Sequence, residues 1–66
     1  MGDFNLHAEI KRVERLNIYE AMEQALRDCG SKVPFVMHRK NKKQWLITIN
    51  ASDLIRFAKA IVENEY

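Results

Sequence analysis

Cysteine is nearly absent from this chain of 66 residues. The single Cys29 excludes an internal disulfide and, with no signal-like N-terminus, indicates a reducing, intracellular setting. Long apolar runs are lacking too, and no stretch approaches the roughly 20 residues of a membrane span. The chain has no repeats, low-complexity segments or linkers, so residues 1–66 are expected to form a single domain. A chain this short buries only about 60% of its unfolded surface, so we expect oligomerisation to supply further buried area.

Acidic residues are missing from one segment. The whole chain carries 11 Lys and Arg against 9 Asp and Glu, but residues 32–43 contain only basic charges. These are Lys32, Arg39, Lys40, Lys42 and Lys43, with His38 beside them. A second basic cluster consists of Lys11, Arg12 and Arg15. Such clusters bind phosphate backbones, and they also occur as solubilising hairpin tips, so composition leaves both interpretations open.

The alternating pattern of residues 5–11 predicts a strand. Because alternate residues of a strand share a face, Glu9 and Lys11 are expected on one side, and Leu6, Ala8 and Ile10 on the other. A carboxylate and an ammonium placed in this way can hold a divalent cation and polarise a phosphate. They can equally form an ordinary surface ion pair.

A helix is predicted over residues 18–29. Asn17 suits its N-cap, Glu20 occupies the capping-box position, and Gly30 suits the left-handed residue that ends a helix. The apolar stripe is expected to comprise Ile18, Met22, Ala25, Leu26 and Cys29. The thiol on this stripe is then buried and inert.

Two β-rich segments predict an antiparallel hairpin. Residues 33–37, with Pro34 near their start, suit a strand that is buried on both faces. Residues 45–49 suit a second buried strand with Trp45 at its head, where core or dimer contact is expected more than base stacking. Asn41 in the polar tip is expected to take the positive φ of a tight turn.

A last helix is capped by Asn50 or Ser52. Its predicted inner face comprises Leu54, Ile55, Ala58, Ile61 and Val62. The order strand, helix, strand, strand, helix predicts an α/β fold with a three-stranded mixed sheet, in which the crossover makes the first two strands parallel. The open edge beside the first strand invites pairing with another chain, so a homodimer is predicted, with strand exchange as one way to form it.

Two longer stretches resemble a known family. The run Glu9–Ala25 looks like the motif region of small phage and bacterial nucleases of the PD-(D/E)xK superfamily, in particular the Holliday-junction-resolvase-like members. The run Pro34–Thr48 is similar to their closing hairpin, with His-Arg, a polar tip and then Trp-Leu. The resemblance implies a truncated restriction-endonuclease-like core. It also implies a cytoplasmic protein, bacterial or from a phage-infected cell, that cuts branched or duplex DNA during recombination.

The resemblance implies roles for individual residues as well. Glu9 would be a catalytic carboxylate that binds Mg²⁺ or Mn²⁺, and Lys11 would orient the attacking water or stabilise the transition state. The Ile10 carbonyl and Asp3 would be the further metal ligands, and Gln24 would lie near the active centre. Phosphate contacts are assigned to Arg12, Arg15, His38, Arg39, Lys40, Lys42 and Lys43. The family's own aspartate lies farther upstream than Asp3 does here. A truncated product, a fragment from an internal start, or a dimer that completes the site across its interface would each account for this.

Three hypotheses for the function follow. The first is a metal-dependent, structure-selective DNA endonuclease whose site is completed by dimerisation. The second is an inactive nuclease remnant that acts as a DNA-binding or dimerisation module. The third is an interaction domain whose basic residues only confer solubility. His7 is not assigned to the metal, because no second ligand lies at a metal-site spacing from it.

Overall fold

The computed structural model describes residues 5–63, so Asp3 lies outside the described residues. The chain forms β1 (Leu6–Arg12), α1 (Ile18–Asp28), β2 (Val33–Arg39), β3 (Leu46–Ile49) and, after a 3₁₀ turn over Ala51–Asp53, α2 (Leu54–Glu63). The sheet order is β1-β2-β3, with β1 and β2 parallel and β3 antiparallel to β2. The predicted α/β fold with a mixed three-stranded sheet is therefore confirmed. No helix within residues 5–63 is long and apolar enough to cross a membrane.

Helix α1 begins and ends where local chemistry predicts. The Asn17 side chain accepts a hydrogen bond from the Glu20 backbone N–H at 3.1 Å, and Gly30 adopts φ +60° just past the helix. The helix packs one face of the sheet by placing Ala21, Met22 and Ala25 against Val36 of the central strand β2. These residues are buried and form the core cluster of the domain.

The apolar stripe of α1 is rotated relative to the predicted one. Leu26, expected inside, is exposed, whereas Ala21, which was not assigned to the stripe, is buried. The close approach of α1 to β2 explains this, because the small Ala21 and Ala25 side chains let the helix lie directly on the strand. Cys29 is buried as predicted, and its thiol donates to the Leu26 carbonyl at 3.2 Å.

Strand β2 is central, and it accommodates a proline. Val33 donates its N–H to the Asn5 carbonyl at 2.9 Å, so the N–H groups of odd residues in β2 face β1. The nitrogen of Pro34 therefore faces the side of β3, where pairing begins only at Phe35. No ladder hydrogen bond is lost at this position. Val33, Pro34 and Val36 are buried, and Phe35 is half-buried.

The hairpin tip differs from the prediction in two ways. Lys42, and not Asn41, has the positive φ of +64°. The Asn41 backbone N–H donates to the Glu14 carboxylate at 2.7 Å, a contact that only the tertiary structure provides. Trp45 lies just before β3 and is exposed, with the Arg39 guanidinium 5.3 Å from its ring centroid. Trp45 is therefore not in the core, since β3 is an edge strand of the sheet within residues 5–63, and its contact with a dimer partner stays a prediction.

Helix α2 turns its predicted inner face outward. All five residues assigned to that face are exposed: Leu54, Ile55, Ala58, Ile61 and Val62. The helix instead contacts the sheet through Phe57, whose ring packs edge-on against Phe35 at 5.4 Å, and it buries Ala60. A three-stranded sheet is too narrow to cover the whole apolar circumference of this helix. Asn50 precedes the 3₁₀ turn without a side-chain capping bond.

Candidate metal and phosphate site

Strand β1 has an inverted pattern of polarity. His7, Glu9 and Lys11 face α1 and are half-buried, whereas Ala8 and Ile10 on the opposite face are exposed, with Ile10 at 63%. A strand that packs against a helix normally presents its apolar residues to that helix. Departures from this rule concentrate at functional sites. Together, His7, Glu9 and Lys11 form the polar row of β1.

The two oxygens of Glu9 face different partners. Oε1 lies 3.9 Å from His7 Nε2, and Oε2 lies 3.7 Å from Lys11 Nζ. Lys11 also donates to Gln24 Oε1 of α1 at 3.3 Å. The Glu9 side chain is only 18% exposed, so these groups interact in a medium less polarisable than water. The structure thus brings together the three residues assigned to catalysis from the sequence.

Asp28 of α1 reaches the polar row and joins His7 and Glu9 there. His7, Glu9 and Asp28 each offer one ligand atom, and these atoms all lie within 4.8 Å of one another. Asp28 is the last residue of α1 and lies one turn after Gln24, on the same helix face. Because a crossover helix runs opposite to its strands, the end of α1 returns beside the start of β1.

Sequence reasoning considered His7 as a metal ligand and did not assign it, and it missed Asp28, although a signal for each was present. His7 and Glu9 are two residues apart on a strand, and Gln24 and Asp28 are four apart on a helix, so each pair shares a face. The sequence does not reveal that the two faces meet. Asp28 places a second carboxylate beside Glu9, whereas Asp3, the carboxylate assigned from the sequence, lies outside the described residues.

The Ile10 carbonyl, a predicted metal ligand, is not engaged in the sheet. Since the Asn5 carbonyl accepts from Val33, the carbonyls of odd residues in β1 face β2. The carbonyl of Ile10 therefore projects from the open edge of β1. It remains a candidate ligand beside Glu9.

Basic residues gather where the parallel strands end. Arg12 and Arg39 are paired directly in the β1–β2 register, one at the carboxyl end of each strand. Arg15 lines a cleft of about 630 Å³ together with Lys11, Gln24 and Arg27 on the α1 side. Arg12 and Arg39 thus lie on the face of the sheet opposite α1, and Arg15 lies on the α1 side. Arg27, in the last turn of α1, lies toward the start of β1.

The remaining residues assigned to phosphate contacts differ in exposure and in whether their side chains are already hydrogen-bonded. Lys40, Lys42 and Lys43 are exposed at the hairpin tip. His38 is half-buried, and its Nε2 lies 2.9 Å from Thr48 Oγ1, so its ring is already hydrogen-bonded within the sheet. The tip lysines are accordingly better placed than His38 to contact a phosphate backbone.

Comparison of the chain with protein families, curated proteins and solved structures found no match.

Proposed function

We propose that the chain is a divalent-metal-dependent, structure-selective DNA endonuclease of the resolvase type. The observation that carries the proposal is the polar row, turned against α1 with Gln24 bonded to Lys11. A small domain has few positions between helix and sheet, and here ionisable side chains occupy three of them. Such side chains stabilise a fold less well than apolar ones of similar volume, so a role in chemistry accounts for their presence.

The reaction would be hydrolysis of a phosphodiester. The oxygen of water forms a bond to phosphorus, the bond from phosphorus to the leaving oxygen breaks, and negative charge grows on the phosphoryl oxygens. Lys11, held by Glu9 and Gln24, would stabilise that charge or orient the water. A divalent ion, when bound, neutralises phosphate charge and makes a water molecule more acidic. The donor set of imidazole and carboxylates beside Lys11 fits such an ion.

The position of the basic residues supports a DNA substrate. In α/β folds, ligands bind beyond the carboxyl ends of parallel strands, and Arg12 and Arg39 lie there. Arg15 lines the α1-side cleft together with Lys11, so a backbone phosphate held by Arg15 would lie near the ammonium. The resemblance to resolvase-like nucleases supports branched DNA over linear duplex.

A homodimer belongs to the proposal. The outward face of α2 and the exposed Ile10 and Ile47 leave apolar surface uncovered on the side of the sheet opposite α1. Exposed apolar patches mark interaction surfaces, and a chain this short gains most from covering them. Two copies would provide two polar rows, one for each of two strands of a four-way junction.

Cleavage of a synthetic four-way junction in Mg²⁺ or Mn²⁺ tests the activity, with a linear duplex of the same sequence alongside. Wild-type protein should cut the junction, and Glu9→Gln and Lys11→Met should each lower the rate by about 100-fold or more, as loss of a group that stabilises transition-state charge does. Glu63→Gln and Lys59→Met are matched controls on exposed positions of α2 and should cut normally. Absence of cutting by the wild type with either ion overturns the proposal.

A second candidate function is DNA binding without cleavage, which the exposed lysine tip favours. Lys40, Lys42 and Lys43 lie in a turn that a hydrogen bond from the Lys43 N–H to the Lys40 carbonyl closes at 3.1 Å. Each phosphate contact contributes about 0.9 to the slope of log affinity against log salt. Replacing the three lysines by serine should therefore reduce that slope by about 2 to 3. On this candidate, Glu9→Gln binds DNA as tightly as the wild type and neither protein cuts.

A further inference from the structure

We infer that His7, Glu9 and Asp28 form a binding site for a first-row divalent cation, Mn²⁺ or Zn²⁺ in preference to Mg²⁺. The three side chains come from the strand and from the end of the helix, and their ligand atoms converge within 4.8 Å. The inference deepens the proposed function, on which it rests for its catalytic consequence. The binding itself rests on geometry.

The imidazole of His7 supplies the first argument. Its Nε2 is buried and has no hydrogen-bond partner among residues 5–63. The 3.9 Å to Glu9 Oε1 is too long for a hydrogen bond. Two ligands of one tetrahedral ion, each at about 2.0–2.1 Å, are separated by about 3.4 Å. An ion between the two atoms would therefore satisfy the nitrogen after a movement of a few tenths of an ångström.

The charges around the cluster supply the second argument. Lys11 lies beside Oε2 of Glu9, which leaves Oε1 directed at His7 and free to bind an ion. Asp28 lies at the C-terminal end of α1, where the helix dipole is negative and a carboxylate is unfavourable unless a cation is near. A divalent ion would offset both the dipole and the second carboxylate.

The ligand types decide which ions fit. Imidazole nitrogen suits Zn²⁺ and other late first-row ions, and carboxylates suit Mn²⁺ and Zn²⁺ alike. Mg²⁺ prefers oxygen ligands and releases its waters reluctantly, so an imidazole ligand disfavours it. Asp28 is exposed, so the cluster opens to solvent on one side. Three protein ligands with an open position are typical of catalytic rather than structural sites.

Metal binding without DNA tests the inference. Isothermal titration calorimetry with Zn²⁺ should report one site per chain. Loss of the electron paramagnetic resonance signal of free Mn²⁺ should report the same number. His7→Gln and Asp28→Asn should each weaken binding by about tenfold or more, because even an outer-shell partner contributes that much. His38→Gln and Asp53→Asn are matched controls, since His38 bonds Thr48 and Asp53 accepts from Arg56 at 3.0 Å. Both controls should bind the ions like the wild type.

Asp28→Asn keeps the test sound if His7→Gln unfolds, because position 28 is exposed. The ¹⁵N resonances of the two histidines give an independent readout: Zn²⁺ should shift those of His7 and leave those of His38. Unchanged affinity in Asp28→Asn, or wild-type protein that binds neither ion at millimolar concentration, overturns the inference.

The outcomes also separate this inference from the proposed activity. Suppose that the wild type binds one ion per chain, that His7→Gln and Asp28→Asn weaken this binding, and that the protein cuts no junction. This result supports the metal site and overturns the nuclease. Junction cutting in Mn²⁺ that is unchanged in His7→Gln and Asp28→Asn, with unchanged Zn²⁺ and Mn²⁺ affinity in both variants, supports the nuclease and overturns this metal site.

Discussion

Removing the charges of the polar row should make the domain more stable. In the double variant Glu9→Leu and Lys11→Met, two apolar side chains replace an ion pair between β1 and α1. Full burial of a leucine side chain contributes about 1.5–3 kcal/mol. Because the Glu9 side chain is 18% exposed, Glu9→Leu should raise the free energy of unfolding by about 1–2 kcal/mol. Lys11→Met should raise it by less, because the lysine stem already packs against its surroundings.

The free energy of unfolding of the double variant should therefore rise by about 1–3 kcal/mol, in line with apolar replacement of partly buried pairs. For a domain of this size, each kcal/mol raises the melting temperature by about 4–8 °C. The single variant Lys11→Met should instead lower stability by about 1 kcal/mol or more, because it leaves the Glu9 carboxylate half-buried without its ammonium.

Urea unfolding followed by far-ultraviolet circular dichroism measures both effects. The protein concentration is held fixed, because self-association makes the midpoint depend on it. Glu23→Leu on an exposed position of α1 is the control and should change stability by no more than about 0.5 kcal/mol. A double variant that is less stable than the wild type would show that the polar row supports the fold. The presence of its ionisable side chains would then need no role in chemistry.

Four further predictions concern single positions. Asn17→Ala removes the N-cap bond and should cost about 1 kcal/mol in urea unfolding, and Asn17→Asp should cost nothing. Gly30→Ala should cost about 1 kcal/mol through strain at φ +60° alone, because nothing lies within 4 Å of the added Cβ; Gly30→Asn should cost less. Thr48→Val should cost about 1 kcal/mol by removing the partner of His38, and an unchanged midpoint would contradict that hydrogen bond. In light scattering, the wild type should have twice the chain mass of 7.8 kDa. Ile55→Lys, at a position that is 75% exposed, should be a folded monomer, and a monomeric wild type contradicts the dimer.

Features that depend on neighbours in sequence could be predicted. Asn17 caps α1, and Gly30 takes a left-handed conformation after it, because both depend on a few adjacent backbone groups. The parallel pairing of β1 with β2 followed from the crossover, which admits few arrangements. Glu9 and Lys11 share a face because strand geometry requires it.

Features that depend on the available partner could not be predicted. The periodicity of α2 identified an apolar side correctly, but it could not show that the sheet would cover only Phe57 and Ala60. Asn41 has the propensity for a positive φ, yet Lys42 takes it, and the Asn41 N–H bonds the distant Glu14 carboxylate. Both features depend on parts of the fold that lie far away in sequence.

The polar row has one more consequence, which concerns aggregation. In the described part of the chain β1 is an edge strand, and an open edge can pair with the strands of other molecules. Charged residues that point inward from an edge strand hinder such pairing, because a second strand laid alongside would have to bury them further. Glu9 and Lys11 thus protect the edge of β1 from pairing with other strands, and they also belong to the candidate functional site. The stabilised double variant should lose this protection and form insoluble β-aggregates more readily, although its folded state is the more stable one.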